Sequence, residues 1–294
     1  MASKKTRSAI VWLLAALITL SSAIYQRRTG PTHPYRGSVE LAGETINFRL
    51  IRSYHQPSDA PVKVKVKDRE TEGVIRFKRY PSYDDWSWAN MIREGDYLVA
   101  FIPQQPAAGK VMYQITLQRG AEETVLSEEP ITIRFRDDVP AWALIPHVII
   151  MFLAMLLSMR TGLAALLGER TFGLTLLTFV SLVAGGLIFG PIVQKYAFGA
   201  YWTGWPSGTD LTDNKTAVAF ILWLIALVKT WRNPWHRSWV LIAAVGLLVV
   251  YMIPHSLLGS EIDWTEKEGV NTAGMLLCVI CMPFMRSLFN RKRE

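Results

Sequence analysis

Long uncharged apolar runs constrain this chain more than any other feature of its sequence. A helix needs about 20 apolar residues to cross the ~30 Å hydrocarbon core of a bilayer. Half of the 294 residues are apolar and 19% are charged, whereas a soluble domain carries about 25% charge. We therefore expect an α-helical polytopic membrane protein rather than an ordinary soluble enzyme. The chain has only two cysteines, too few for a fold stabilised by a framework of disulfides. The six apolar runs are 9–25, 141–159, 171–193, 216–231, 238–254 and 272–289.

The first and fourth runs need separate comment. Lys4, Lys5 and Arg7 precede the run 9–25, and Ser21-Ser22-Ala23 resembles a cleavage site. We favour a retained transmembrane anchor over a signal peptide, and both interpretations export the segment that follows. The fourth run is too short to cross a bilayer, so its helix is expected to begin before Thr216.

The basic residues predict the orientation. With the N-terminus inside, the inner segments hold twelve Lys and Arg residues against two acidic residues, as cytoplasmic segments of membrane proteins do. The tails 1–8 and 291–294 are therefore expected in the cytoplasm, and the loops 194–215 and 254–271 outside. This topology accounts for the whole net charge of +8. The lipid bilayer is thus an expected partner, and nucleic acid is not.

Residues 26–139 differ in kind from the apolar runs. The stretch from Thr29 to Pro34 is typical of a stiff linker. Short segments with alternating apolar and polar residues follow, separated by Gly and Pro, which is typical of an antiparallel β-sandwich. The expected fold is therefore about six transmembrane helices, with an extracytoplasmic all-β sandwich (26–139) inserted before a five-helix membrane domain (140–290). The predicted strands are Val62–Val66, Val74–Phe77, Tyr97–Ile102, Val111–Leu117 and Ile131–Phe135.

The stretch from Gly95-Asp-Tyr97 through Ile102–Gly109 to Tyr113 resembles fibronectin type III or immunoglobulin-like domains of bacterial exported proteins. The resemblance implies a module that binds or spaces and carries no chemistry. Another membrane or periplasmic protein is its expected partner. Since the segment contains no catalytic triad, carboxylate pair or phosphate-binding loop, we expect a protein without enzymatic activity.

The predicted outer loop 194–215 is rich in aromatic residues, glycine and aspartate. Trp202 and Trp205 lie in it, and Asp210 and Asp213 precede the fourth helix. The rings are expected either against a planar ligand or in the aromatic belt of the membrane surface. In the second case Thr212 or Asp213 starts the fourth helix as its N-cap.

Two histidines share a sequence context at the predicted outer boundary. Leu144-Ile-Pro-His147 opens the second membrane helix, and Met252-Ile-Pro-His255 closes the fifth. Ionisable groups at membrane depth are costly and usually functional, and imidazole is the commonest metal ligand in proteins. The alternative is a pair of interfacial histidines bonded to the backbone.

This arrangement resembles the haem-handling membrane proteins of cytochrome c assembly, which carry a tryptophan-rich outer loop. The matching residues are Phe198-Gly-Ala-Tyr-Trp202, Thr-Gly-Trp205 and Asp210, with histidines in the flanking outer segments. The resemblance implies haem at the outer face of a bacterial plasma membrane. His147 and His255 are then axial ligands, Trp202 and Trp205 stack on the cofactor, and Asp210 orients a donor.

Other metals have candidate ligands too. Asp210, Asp213 and Glu261 suit calcium or, with histidine, zinc. Cys278 and Cys281, with methionine stripes on two helices, suit a copper-handling transporter, although Met and Cys also pack as ordinary apolar residues. A structural or sensory subunit whose β-sandwich binds a partner is the third hypothesis.

Overall fold

The computed structural model describes residues 4–255 and 261–265. Among the described residues, one long helix comes first, eleven strands follow, and then five α-helices and one π-helical segment. The helices are α1 (Lys4–Thr29), α2 (Ala141–Leu166), α3 (Phe172–Leu182), α4 (Gly190–Phe198), α5 (Leu211–Arg232) and α6 (Ser238–Met252). A π-helical segment, Val183–Phe189, joins α3 to α4.

Four helices of the described residues are long and apolar enough to cross a membrane, as the apolar runs predict. They are Lys5–Thr29, Ala141–Leu166, Phe172–Phe198 and Leu211–Arg232. The third comprises α3, the π segment and α4, while α6 is apolar but has only 15 residues. The predicted sixth helix, 272–289, lies outside the described residues together with both cysteines.

The ends of the helices differ from the predicted boundaries at the outer loop. The loop predicted at 194–215 is shorter and spans 199–210, because α4 continues to Phe198 and α5 begins at Leu211. Gly199 ends α4 in the left-handed conformation (φ +82°) that glycine adopts without strain. The predicted N-cap of α5, Thr212 or Asp213, is wrong: the cap is Asp210, whose carboxylate accepts a hydrogen bond from Thr212 N. The prediction that this helix begins before Thr216 is confirmed.

Helix α2 is the centre of the helical part, since it contacts α1, α3 and α6. A Cβ at Gly162 of α2 would lie 2.8 Å from the Ala244 Cβ of α6, so only glycine permits this helix crossing. Small residues allow the same close approach in membrane helices generally. The outward faces carry exposed apolar side chains such as Ile149, Leu177 and Val245, which lipid chains solvate better than water does.

The strands form three sheets between α1 and α2. The sheets are a β1–β2 hairpin, a three-stranded sheet in the order β4-β8-β7, and a six-stranded sheet in the order β3-β11-β9-β5-β6 with β10 on β9. The strands are β1 (Tyr35–Leu41), β2 (Glu44–Leu50), β3 (Ser53–Tyr54), β4 (Ala60–Lys65), β5 (Glu72–Tyr80), β6 (Ser87–Asn90), β7 (Ile92–Glu94), β8 (Tyr97–Ile102), β9 (Lys110–Arg119), β10 (Glu122–Val125) and β11 (Ile131–Phe135). The five predicted strands correspond to β4, β5, β8, β9 and β11.

Side chains from all three sheets share one apolar core. Val62 and Val64 of β4 are fully buried while the lysines between and after them are exposed, which is the alternation from which the strand was predicted. Ile75 of β5 and Ile115 of β9 are equally buried. All members of this core lie between Leu41 and Phe135. We call residues 35–135 the β-sheet unit.

One end of the six-stranded sheet faces the helices. Lys110 of β9 lies opposite both Tyr80 of β5 and Arg134 of β11. The Lys110 ammonium pairs with Glu261 at 2.9 Å, and Asp137 N donates to the Ala197 carbonyl of α4 at 3.1 Å. The β-sheet unit is therefore fixed on the ends of the helices where the 199–210 loop lies.

We expect residues 34–137 to fold alone as a soluble, mainly β domain, because none of the described helices contributes a residue to their apolar core. Circular dichroism of the isolated segment should show a β spectrum and a cooperative thermal transition. A random-coil spectrum would show instead that the unit needs the helices.

Candidate functional site

The packing of α2 on α6 brings the two histidines of the sequence together. His147 lies in the second turn of α2, and His255 follows the end of α6 by three residues. Both line the same two cavities, of about 300 Å³ and about 220 Å³, which we call the larger and the smaller cavity. Two residues separated by more than 100 positions thus share one site.

The orientation of His147 is fixed by the π segment. Its Nδ1 lies 2.9 Å from the Gly185 carbonyl oxygen. A carbonyl oxygen only accepts, so Nδ1 carries the proton and Nε2 keeps its lone pair. Metal-binding histidines are held in this way, with one ring nitrogen on a backbone carbonyl. π-helical turns also recur at functional sites.

His255 is held by the first helix. Its Nδ1 lies 2.5 Å from the Gln26 amide nitrogen, which donates to it. A rotation of the carboxamide by 180° would present the oxygen instead and would leave Nε2 of His255 as a free lone pair. His255 has exposed surface, yet desolvation, then the Lys215 ammonium and then His147 lower the pKa of its imidazole. The ring is therefore neutral near pH 7, which is the metal-binding form.

The two cavities share residues but differ in charge. His147, Met151, Thr216 and His255 line both. The larger cavity adds the carboxylates of Asp210 and Asp213 and the guanidinium of Arg136, together with Gln194. The smaller cavity adds Lys215, Gln26 and Tyr251, with no carboxylate among the described residues that line it. The larger cavity thus favours a cation, and the smaller one does not.

Asp213 holds the 199–210 loop against α5. Its Oδ2 accepts hydrogen bonds from Thr203 N at 2.6 Å, Gly204 N at 3.0 Å and Gln194 Nε2 at 3.1 Å. A Cβ at Gly204 would lie 2.6 Å from the Asp213 Cβ, so this approach needs glycine. The buried carboxylate is therefore engaged in shaping the loop.

The predicted site residues of the loop separate in the structure. Asp210 is buried and lines the larger cavity, where its carboxylate caps α5 and accepts from Thr203 Oγ1 at 3.1 Å. Trp202 donates its indole N–H to the Trp205 carbonyl, and Trp205 is 78% exposed. Neither tryptophan lines the two cavities. The structure thus brings His147, His255 and Asp210 together and leaves the rings at the surface.

The other metal hypotheses find less support in the geometry. No group of three His, Cys, Asp or Glu side chains suited to a metal lies within 4–255 and 261–265. This holds also for His147, His255 and Asp210, which line one cavity without forming a three-ligand set. Glu261 pairs with Lys110 in the β-sheet unit. Met151, Met155 and Met159 form the methionine stripe of α2. Met155 and Met159 are buried in the helical core, and only Met151 lines the cavities. Cys278 and Cys281 lie outside the described part of the chain.

A buried arginine connects the site to the β-sheet unit. The Arg134 guanidinium of β11 lies 3.9 Å from the centroid of the Phe198 ring of α4, which is a cation–π distance. Burial lowers the pKa of Arg134 to about 10, while the charges of Asp210 and Glu261 oppose that shift. The cation stays charged at neutral pH and interacts electrostatically with Asp210, which lines the larger cavity.

Gln26 and Lys215 line the smaller cavity, although neither was predicted as a site residue. Gln26 lies at the end of an anchor helix, and nothing local indicates that it meets His255. Lys215 did carry a signal, since it is a single cation beside the start of an apolar run.

Comparison of the chain with protein-family models, with curated proteins and with solved structures finds no match. The resemblances to cytochrome c assembly proteins and to fibronectin type III or immunoglobulin-like domains therefore stay predictions.

Replacing Asp213 by Ala should release the 199–210 loop. The change leaves the N–H groups of Thr203 and Gly204 without their acceptor, and each unpaired buried donor costs about 1–3 kcal/mol. We expect a lower thermal midpoint in detergent and faster proteolysis within the loop. Asp263→Ala is the control, because that exposed carboxylate bonds only Thr265 among the described residues. Equal effects of both changes would contradict this role.

Proposed function

We propose that this protein binds a metal ion or metal cofactor at the outer face of a membrane, through His147 and His255. The observation that carries the proposal is their convergence on the same cavities. The Nδ1 of each ring is held by another residue, Gly185 or Gln26. For His147, this leaves the Nε2 lone pair free to bind the metal. For His255, Nε2 has a lone pair only when the Gln26 carboxamide is rotated so that its oxygen faces Nδ1.

The donors favour a transition metal over calcium. Imidazole nitrogens suit zinc and copper, and the Met151 thioether suits Cu(I). The oxygens of Asp210 and Asp213 already accept loop N–H and hydroxyl groups, so these carboxylates balance the charge of a cation instead of ligating it. A calcium ion would need six to eight oxygen ligands.

Haem is a second form of the same proposal, favoured by the presence of two imidazoles. Its macrocycle needs space between them, and cavities of about 300 Å³ and 220 Å³ lie at or below the lower end of small-molecule sites. Trp202 and Trp205 are also not positioned to stack on it. A single ion therefore fits the described geometry better.

The membrane arrangement belongs to the proposal as well. The chain crosses a bacterial plasma membrane about six times, with both termini in the cytoplasm and the β-sheet unit outside as a sandwich. Four apolar helices of spanning length and the excess of basic residues on the predicted inner side support it. No catalytic step is proposed.

His147→Ala and His255→Ala should each remove most of the bound metal, since each deletes one of the two nitrogen ligands. Elemental analysis and absorption spectra of the detergent-purified protein after loading with zinc, copper or haemin measure the loss. Trp202→Ala should have a smaller effect.

His236→Ala is the matched control, because His236 lies near the opposite ends of the helices, between α5 and α6. Retention of metal that is equal in all four variants would contradict the site and would favour a structural or sensory subunit.

Reporter fusions after Arg160 and Arg232 should report cytoplasm, and fusions after Gly120 and Gly208 should report the outside. Each fusion is made with two reporters, one enzyme that is active only in the periplasm and one that is active only in the cytoplasm, and the two activities are compared. An inside signal at Gly208 would overturn the outer location, because the 199–210 loop and both histidines lie at the same ends of the helices.

A further inference from the structure

Lys215 is a buried cation that forms no ion pair with a carboxylate of the described residues. It lies in the second turn of α5 and is 6% exposed. Its ammonium donates to the Ile253 carbonyl oxygen at 2.6 Å, and no ion pair joins it to an acid of the described residues. Asp210 acts on it only at longer range.

An ammonium group buried in this way is costly. Removing a charge from water without a counter-ion costs several kcal/mol, and one backbone carbonyl satisfies only one of its three donors. An anion bound beside the ammonium would offset this cost.

The smaller cavity beside Lys215 has the composition of an anion site. Its polar lining residues are Gln26, His147, Lys215, Thr216, Tyr251 and His255, and the described part of the lining contains no carboxylate that would repel an anion. In the arrangement of the structure, Gln26 donates to Nδ1 of His255. The Nε2 of His255 then carries a proton and is a second donor to an anion.

The remaining walls of the smaller cavity belong to the apolar outer surface of the helices. Val148 and Phe152 of α2 line it and are each 41% exposed. Ala23 and Gln26 of α1 close the other side. A molecule with an anionic head and an apolar body can therefore place its head beside Lys215 while its body follows α1 and α2.

We propose that the smaller cavity binds a phosphate group, that of an anionic phospholipid of the outer leaflet. The Lys215 ammonium supplies the charge, and His255 donates a hydrogen bond. The phosphate is the shared chemistry of a lipid headgroup and of free phosphate. The apolar walls favour the lipid. This inference does not depend on the metal proposed above, and it is tested with chelator present.

The test uses the full chain, purified in detergent and stripped of lipid. Native mass spectrometry and thermal unfolding follow the addition of phosphatidylglycerol, of diacylglycerol, which lacks the phosphate, and of inorganic phosphate. We expect about one phosphatidylglycerol to bind tightly and to raise the unfolding temperature, and diacylglycerol to do neither. If inorganic phosphate raises the unfolding temperature as much as phosphatidylglycerol does at equal concentration, the site binds phosphate but the lipid is overturned as its source.

Lys215→Gln should weaken phosphatidylglycerol binding by at least about tenfold, since a hydrogen bond to a charged group contributes about 1.5–3 kcal/mol. Lys195→Gln is the matched control. Lys195 also donates to a backbone carbonyl at 2.6 Å, that of Gly199, but it is exposed and lines neither cavity. Equal affinity in the wild type and both variants would overturn the site.

A second variant keeps the test valid if Lys215→Gln does not fold. Lys215→Arg retains the positive charge. We therefore expect this variant to bind phosphatidylglycerol more tightly than it binds diacylglycerol. In the wild type alone, equal stabilisation by phosphatidylglycerol and diacylglycerol would overturn the proposal, because only the first carries the phosphate.

Discussion

The close packing of α2 on α6 determines where the polar groups at this end of the helices lie. Gly162 and Ala244 bring the two backbones together, so the start of α2 and the end of α6 meet at one level. The positions of His147 and His255 therefore depend on that crossing. A larger side chain at position 162 would separate the helices, and with them the two rings that line both cavities.

The sequence predicted the elements better than it predicted the site. Alternation located β4 and β9, and hydropathy located the helices, because both patterns are local. The predicted loop boundaries were wrong because Gly199 and Asp210 cap the neighbouring helices, although both lie in a stretch whose composition is typical of a loop. The contact between Gln26 and His255 joins residues 229 positions apart, and no periodicity encodes such a pair. The aspartates were predicted as ligands, whereas Asp213 uses its oxygen on the loop backbone.

The β-sheet unit and the helices meet through charges as well as backbone hydrogen bonds. Lys110 pairs with Glu261, and Arg134 lies over Phe198 with Asp210 and Glu261 nearby. Buried charges of this kind contribute little net stability, but removing one partner leaves the other uncompensated. The position of the unit is thus coupled to the acidic side of the larger cavity.

Gln26 connects the two proposed ligands through the tautomer of His255. When the Gln26 nitrogen faces Nδ1, Nε2 of His255 carries a proton and donates to an anion in the smaller cavity. When the Gln26 oxygen faces Nδ1, Nε2 has a lone pair and can bind a metal. One ring nitrogen cannot do both at once, so phosphate and metal compete at His255 even though Lys215 and the aspartates lie on different cavities. Since Gln26 belongs to α1, the first helix is part of the site and not only an anchor.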